Sequence, residues 1–142
     1  MPSGRIIFFS EDVDFKPAQP IRLRRWLRRV VEAEGKSVNE LTYVFCSDEY
    51  LHRINLEFLN HDTLTDIITF DTSAAGGNEL SGEFYISVER VTDNARRFEV
   101  AVGHEMARVM VHGILHLCGH NDKSERERSK IRQLENFYLQ SL

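Results

Sequence analysis

The chain has 142 residues, of which 42% are hydrophobic and 28% charged, so we expect a single globular domain over residues 1–142. The net charge of −4 argues against a protein that binds nucleic acid over its whole surface. The sequence shows no signal-peptide pattern and no apolar run near the roughly 18 residues of a membrane span, and its two cysteines argue against a disulfide scaffold; these features predict a cytoplasmic protein without membrane contact.

The first half of the chain alternates strand and helix signals. Strands are predicted at the apolar run of residues 6–9 and at residues 41–45, where β-branched and aromatic side chains are enriched. An amphipathic helix is predicted from Ile21 to Gly35, with its buried face formed by Leu23, Trp26, Leu27, Val30 and Val31. A second helix is capped by Ser47 or Asp48. Its apolar face is predicted to comprise Leu51, Ile54, Phe58 and Leu59.

The second half of the chain adds a hairpin and three helices. Strands at 66–71 and 83–87 flank a Gly76-Gly77 loop, and helices follow at 88–100 and 103–118. Ser124 and Glu127 form a capping-box pattern at the start of the last helix, whose apolar seam includes Ile131, Leu134 and Tyr138. This order predicts an α+β fold in which about five helices pack a small four-stranded mixed sheet.

The segment from His112 to Asp122 carries the strongest functional signal. His112 and His116 are four residues apart, so on a helix their imidazoles lie one turn apart on one side and can bind one ion. Gly119 is suited to end the helix in a left-handed conformation. A chain that reverses there can bring Asp122 back over the histidines as a third ligand. The spacing H-x3-H-x2-G-x2-D is similar to the zinc segment of metzincin proteases.

Other assignments of this segment stay open. Two histidines four apart on a helix also occur by chance, His120 could replace Asp122 as third ligand, and Asp122 could only cap the next helix. His104 lies two turns before the first ligand, at the helix start, and is not expected to bind the ion. Cys118 faces away from the ion and is interpreted as a core residue.

Gly113 argues against a peptidase. In the H-E-x-x-H enzymes the residue after the first histidine is the glutamate that acts as general base, and here that residue is Gly113. Three protein ligands still leave a fourth position for water, so a metal-dependent hydrolase remains possible if another group supplies the base.

Arginine accounts for 14 of the 18 basic residues, and five arginines lie in residues 21–30. Their simplest interpretation is a solvated helix face. The arginine fork also binds phosphate in bidentate fashion, so an acidic protein can still contact RNA locally. The candidate RNA contacts are Arg25, Arg29 and Arg53.

Three segments resemble the YbeY family, the bacterial endoribonucleases of ribosomal RNA maturation. HGILHLCGHND (112–122) resembles the family signature H-G-x-L-H-L-x-G-x-D-H. INLEFLNHDTLTDIITFD (54–71) resembles the segment N-x-x-Y-R-x-x-D-x-x-T-D-V-L-S-F, and GEFYIS (82–87) resembles the strand G-D-I-x-I-S. The resemblance covers about residues 40–125 in the correct order.

The resemblance implies one zinc ion per chain on His112, His116 and Asp122, with ribosomal RNA or a ribosomal subunit as partner. Two departures qualify the match. Asp122 stands at the final histidine of the signature, and Leu59 stands where the family has an arginine near the active cleft. His61, Asp62 and His120 are further candidate contributors to catalysis beside a zinc-bound water.

Three functions are therefore compared. The first is a single-strand-selective, zinc-dependent endoribonuclease that acts in ribosomal RNA processing, as the resemblance implies. The second is a non-catalytic ribosome assembly factor with a structural metal, which the open fourth ligand position disfavours. The third is a metallopeptidase, which Gly113 disfavours.

Overall fold

Five helices and four strands occur in the predicted order within residues 4–60 and 65–142, the part of the chain that the computed structural model describes. The strands are β1 (Arg5–Ser10), β2 (Ser37–Cys46), β3 (Ile67–Asp71) and β4 (Glu79–Ser87). The helices are α1 (Pro20–Ala33), α2 (Asp48–Leu59), α3 (Val88–Phe98), α4 (Val102–Leu117) and α5 (Glu125–Leu139). The predicted α+β fold class is thus confirmed.

The strands form one mixed sheet in the order β1-β2-β4-β3. The three strands β1, β2 and β4 are parallel to one another, whereas β3 runs antiparallel to β4 and forms one edge. The predicted hairpin therefore exists, and its outer strand lies beside α4. This placement puts the histidine-bearing half of α4 next to an open edge of the sheet.

The main core lies between the sheet and α1, α4 and α5. All five residues predicted to form the buried face of α1 are buried. Trp26 is fully buried and donates its indole N–H to the carbonyl of Tyr138 at 3.0 Å, so the polar atom that it buries is satisfied. Tyr43 likewise donates its hydroxyl to the carbonyl of Met110 at 3.1 Å, which links β2 to α4.

Helix α2 covers the other face of the sheet, and here one prediction was wrong. Leu51 and Ile54 are buried against Cys46 and Ile68, as expected. Phe58 and Leu59, however, are 69% and 40% exposed. The helical spacing identified the correct side of α2. Neighbouring residues bury the middle of this side, but they leave the last turn of the helix exposed to solvent.

Within residues 4–60 and 65–142, no helix is both long and apolar enough to cross a membrane.

Candidate metal centre

A Schellman motif ends α4 and turns the chain back toward its histidines. Gly119 has a φ of 98°, and its N–H donates to the carbonyl of His116, while the N–H of His120 donates to the carbonyl of Leu115, both at 3.0 Å. These two bonds satisfy carbonyls that the helix end would otherwise leave without donors. The predicted role of Gly119 is confirmed, and the reversal brings Asp122 back over the helix end.

Three potential ligand atoms converge at this turn. The Nε2 atoms of His112 and His116 lie 3.0 Å apart. Asp122 Oδ2 lies 3.3 Å from the Nε2 of His116 and 3.8 Å from that of His112. Ligand atoms from all three residues lie within 4.8 Å of one another. The sequence placed the same three residues together.

A buried chain of charged groups supports His112 from behind. Glu135 on α5 is 3% exposed, and its Oε2 lies 2.7 Å from Nδ1 of His112. The other oxygen, Oε1, accepts from Nη1 of Arg108 at 3.2 Å, and Nε of Arg108 lies 3.4 Å from Oε1 of the buried Glu105. A carboxylate on Nδ1 orients the ring and leaves Nε2 directed at the ligand cluster.

The electrostatic environment differs between the two histidines. Burial alone would lower the pKa of His112, but the hydrogen bond and negative charge of Glu135 outweigh burial, and the net pKa is raised. For His116, burial and the neighbouring His112 lower the pKa. His116 is thereby held in the neutral form, which is the form that binds metal ions.

Two clefts meet at His112 and Asp122. The first, which we call the α2-side cleft, has a volume of about 580 Å³. It is lined by residues of α2, β3 and α4, among them Asn55, Leu59, Asp66 and His116. The second, which we call the α5-side cleft, has a volume of about 260 Å³ and lies between α3, α4 and α5. Asp66 borders both clefts, and burial raises the pKa of its carboxyl although the nearby His112 acts in the opposite direction.

The structure places His120 away from the cluster. Its Nε2 lies 2.7 Å from Oε1 of Glu34, at the end of α1. Glu34 also accepts a hydrogen bond from the hydroxyl of Tyr138. His120 thus ties the turn after α4 to α1 and α5. The other two candidate contributors, His61 and Asp62, lie outside the described residues.

The three candidate RNA-contacting arginines lie elsewhere on the surface. Arg25 and Arg29 are exposed on α1 and line a hollow together with Ser141. Arg53 is exposed on α2, with its guanidinium 5.7 Å from the centre of the Tyr50 ring. None of the three lines either cleft beside His112.

Leu59 is a lining residue of the α2-side cleft, and a test follows from its exposure. Because the side chain is 40% exposed, we expect Leu59→Ala to change the free energy of unfolding by only about 0.5–1 kcal/mol, well below the cost of a buried leucine. Urea unfolding measures this change. Leu59→Arg should fold equally well and strengthen RNA binding by adding a cation to the cleft. A loss of several kcal/mol in Leu59→Ala would show that the side chain is packed after all.

Sequence reasoning missed four acidic residues at or near this site, namely Glu34, Asp66, Glu105 and Glu135. One signal was available for Glu135, which follows Ile131 by four residues and precedes Tyr138 by three, so a carboxylate stands on the apolar seam of α5. Asp66 was visible only as part of the family-like T-D pair of Thr65 and Asp66. No local pattern distinguishes Glu34 from a solvated helix end.

Comparisons with known proteins identify the family and agree with the fold. The family model described as endoribonuclease YbeY matches residues 9–142. The endoribonuclease YbeY of Christiangramia forsetii is 48% identical over 135 residues, which are 95% of this chain and 92% of that protein. The one from Flavobacterium johnsoniae is 47% identical over 131 residues, 92% of this chain and 93% of the relative. The solution structure of TM1509 from Thermotoga maritima matches with a TM-score of 0.68 at 25% identity, covering 96% of this chain and 87% of that one.

These relatives and this fold define an endoribonuclease, a hydrolase that cuts phosphodiester bonds within RNA. The chain belongs to the endoribonuclease YbeY family. The resemblance drawn from the three sequence segments is therefore confirmed.

Proposed function

We propose that the chain is one metal-dependent domain that cleaves single-stranded RNA in ribosomal RNA processing and ribosome maturation. One zinc ion per chain would be held by His112, His116 and Asp122. The observation that carries this proposal is the convergence of three ligand atoms at the point where two clefts meet. The resemblance to the family supports ribosomal RNA as the substrate.

The donor set fits zinc. Bonds of about 2.0–2.1 Å at tetrahedral angles separate two ligand atoms by about 3.3 Å. The three separations here are 3.0, 3.3 and 3.8 Å, so small side-chain movements suffice for binding. Two imidazoles and one carboxylate leave one position open, which is typical of catalytic zinc. When bound, such an ion polarises a phosphoryl oxygen and lowers the pKa of water.

Two further residues of the chain would assist the reaction: one orients the ring of His112, and the other can accept a proton. Glu135 holds Nδ1 of His112 and so fixes the direction of its Nε2. Asp66 borders both clefts and is placed to accept a proton from a nucleophile that enters between them. Among the described carboxylates that border both clefts, Asp66 is the one that does not belong to the ligand set, and it does not pair with Arg108.

We also propose the cytoplasm as the compartment. Cys46 and Cys118 are both free thiols. Burial raises the pKa of Cys46 to about 12 and that of Cys118 to about 11, so both stay protonated and unreactive. Unpaired thiols are typical of a reducing compartment.

The ligand assignment is tested by metal content. We expect wild-type protein to bind one zinc ion, and His116→Ala and Asp122→Ala to lose it during dialysis because each removes a direct ligand. His120→Ala is the matched control, since His120 is engaged by Glu34. Atomic emission on the dialysed proteins gives the stoichiometry. If His120→Ala loses the metal while Asp122→Ala retains it, the third ligand is His120.

The activity is tested with RNA and protein substrates in parallel. We expect the zinc-loaded chain to cut a single-stranded precursor ribosomal RNA transcript, to lose this activity with a chelator and to regain it with added zinc. Casein should stay intact. Metal binding without RNA cleavage would favour a non-catalytic assembly factor, and cleavage of casein would favour a peptidase. Equal cutting of a scrambled transcript would remove the preference for ribosomal RNA.

A further inference from the structure

Carboxylates line both clefts beside His112, but the two clefts differ in whether arginines line them as well. Three carboxylates line the α2-side cleft, from Asp66, Asp71 and Asp122, and no lysine or arginine of the described chain lines it. The α5-side cleft is lined by three arginines, Arg108, Arg128 and Arg132. An RNA strand carries one negative charge per nucleotide, so the two clefts cannot be equivalent for its backbone.

The three arginines are not equally free. Arg108 is largely buried and pairs with Glu105 and Glu135. Arg128 is exposed, and its Nη1 donates to the carbonyls of Asp122 and Lys123, both at 3.2 Å. Arg132 follows one turn later on α5 and is exposed, and its charge acts on the buried Glu105 without a close ion pair between the two side chains.

The carboxylates at the α5-side cleft do not cancel these cations once the ion is bound. Glu105 and Glu135 are shared by Arg108, and Asp122 belongs to the proposed ligand set. Asp66 is the fourth carboxylate on the cleft. A divalent cation would offset Asp66 and Asp122, which leaves Arg128 and Arg132 available for an anion.

We propose that the α5-side cleft binds a backbone phosphate of the RNA next to the bond that is cut, with Arg132 as its principal cation and Arg128 as its second. This inference rests on the proposed endoribonuclease function and assigns a part of the substrate to each cleft. The guanidinium fork matches two phosphate oxygens, which an ammonium group does not. The cleft volume of about 260 Å³ is large enough to admit a phosphate group.

The larger cleft then receives the adjoining nucleoside. The α2-side cleft, at about 580 Å³, has Thr65 and Thr69 among its lining residues, and their hydroxyls are neutral hydrogen-bonding groups. A ribose and base carry such groups, whereas a phosphate would meet three carboxylates and no lysine or arginine of the described residues there. The strand is therefore oriented across the metal centre, with a phosphate toward α5 and a nucleoside toward α2.

The test measures binding apart from cleavage. Zinc-loaded protein is titrated with a fluorescent 2′-O-methyl oligouridine over a range of salt concentrations, and the oligomer is checked for integrity on a gel. We expect Arg132→Gln to weaken binding about three- to tenfold at low salt and to reduce the slope of log affinity against log salt by about 0.7, the value for one lost phosphate contact on a single strand. Zinc content should equal that of wild type.

Arg126→Gln is the matched control. Arg126 is exposed on the same helix and lines neither cleft, so the same change in net charge is made outside the proposed subsite. Its binding at about 0.15 M salt should stay within about twofold of wild type, because Arg126 makes no contact with the proposed subsite and salt screens its longer-range effect. Arg132→Lys should restore the salt slope and only part of the affinity, because it keeps the charge but not the fork.

The outcomes of this experiment test the phosphate subsite and the endoribonuclease function separately. Equal weakening by Arg132→Gln and Arg126→Gln, or no weakening by either, overturns the subsite. If wild type cleaves RNA and Arg132→Gln binds with unchanged affinity and slope, the endoribonuclease function stands and the subsite is wrong. If no variant cleaves RNA but Arg132→Gln alone loses affinity, the subsite stands and the proposed function is wrong.

Discussion

Glu135→Ala is expected to weaken zinc binding about 10–100-fold and to lower the free energy of unfolding by about 3–5 kcal/mol. The carboxylate is 3% exposed and bridges His112 and Arg108, at 2.7 and 3.2 Å. Removing it leaves the ring of His112 without its orienting partner. It also leaves Arg108 largely buried with Glu105 as its one remaining carboxylate partner among the described residues.

The two effects are measured separately. Competition with a chromophoric chelator gives the zinc affinity, and urea unfolding in excess chelator gives the stability of the metal-free protein. Glu135→Gln keeps the size of the side chain and one hydrogen-bonding oxygen, so it should recover part of the stability but less of the zinc affinity. Gln133→Ala changes an exposed position on the same helix and should alter neither quantity. Wild-type zinc affinity in Glu135→Ala would mean that other contacts orient His112.

Local signals in the sequence predicted the elements of this fold. The apolar spacing of α1 identified all five of its buried residues. Ser124 and Glu127 form the capping box that their spacing indicated, and Gly119 takes the left-handed conformation expected at a helix end. These features depend on a few neighbouring residues, so they can be inferred without knowing how the elements pack.

Contacts between distant parts of the chain could not be inferred in the same way. Glu135 meets His112 across 23 positions in sequence, and Glu34 meets His120 across 86. Glu135 and His112 lie on different helices, and Glu34 and His120 lie just beyond the ends of α1 and α4. Only the packing of these helices shows which residues become partners. The error at Leu59 has the same origin, because periodicity gives the side of a helix but not how far its neighbours extend along it.

Gly113 was singled out from the sequence for its bearing on catalysis, but its role in helix packing could not be inferred from the sequence. The sequence marked it as the position where a peptidase would carry its general base. In the structure, a Cβ at Gly113 would lie 2.5 and 2.7 Å from two ring carbons of Phe84 and 3.1 Å from Cδ1 of Ile67. Phe84 is fully buried and stacked on Tyr43 with ring centres 4.5 Å apart, so its ring cannot move aside easily. The glycine is what allows α4 to approach β4 so closely.

Gly113→Ala is therefore expected to destabilise the chain by about 1–3 kcal/mol, even though alanine is intrinsically the better helix former by about 1 kcal/mol. Gly103→Ala is the matched control, because a Cβ at Gly103 in the first turn of α4 meets nothing within 4 Å. The control should be neutral or slightly stabilising when both variants are unfolded in urea with excess chelator. Equal stability of the two variants would show that Phe84 gives way. A large difference would mean that this helix cannot accept glutamate directly after His112, so the proton acceptor for RNA cleavage has to come from another element.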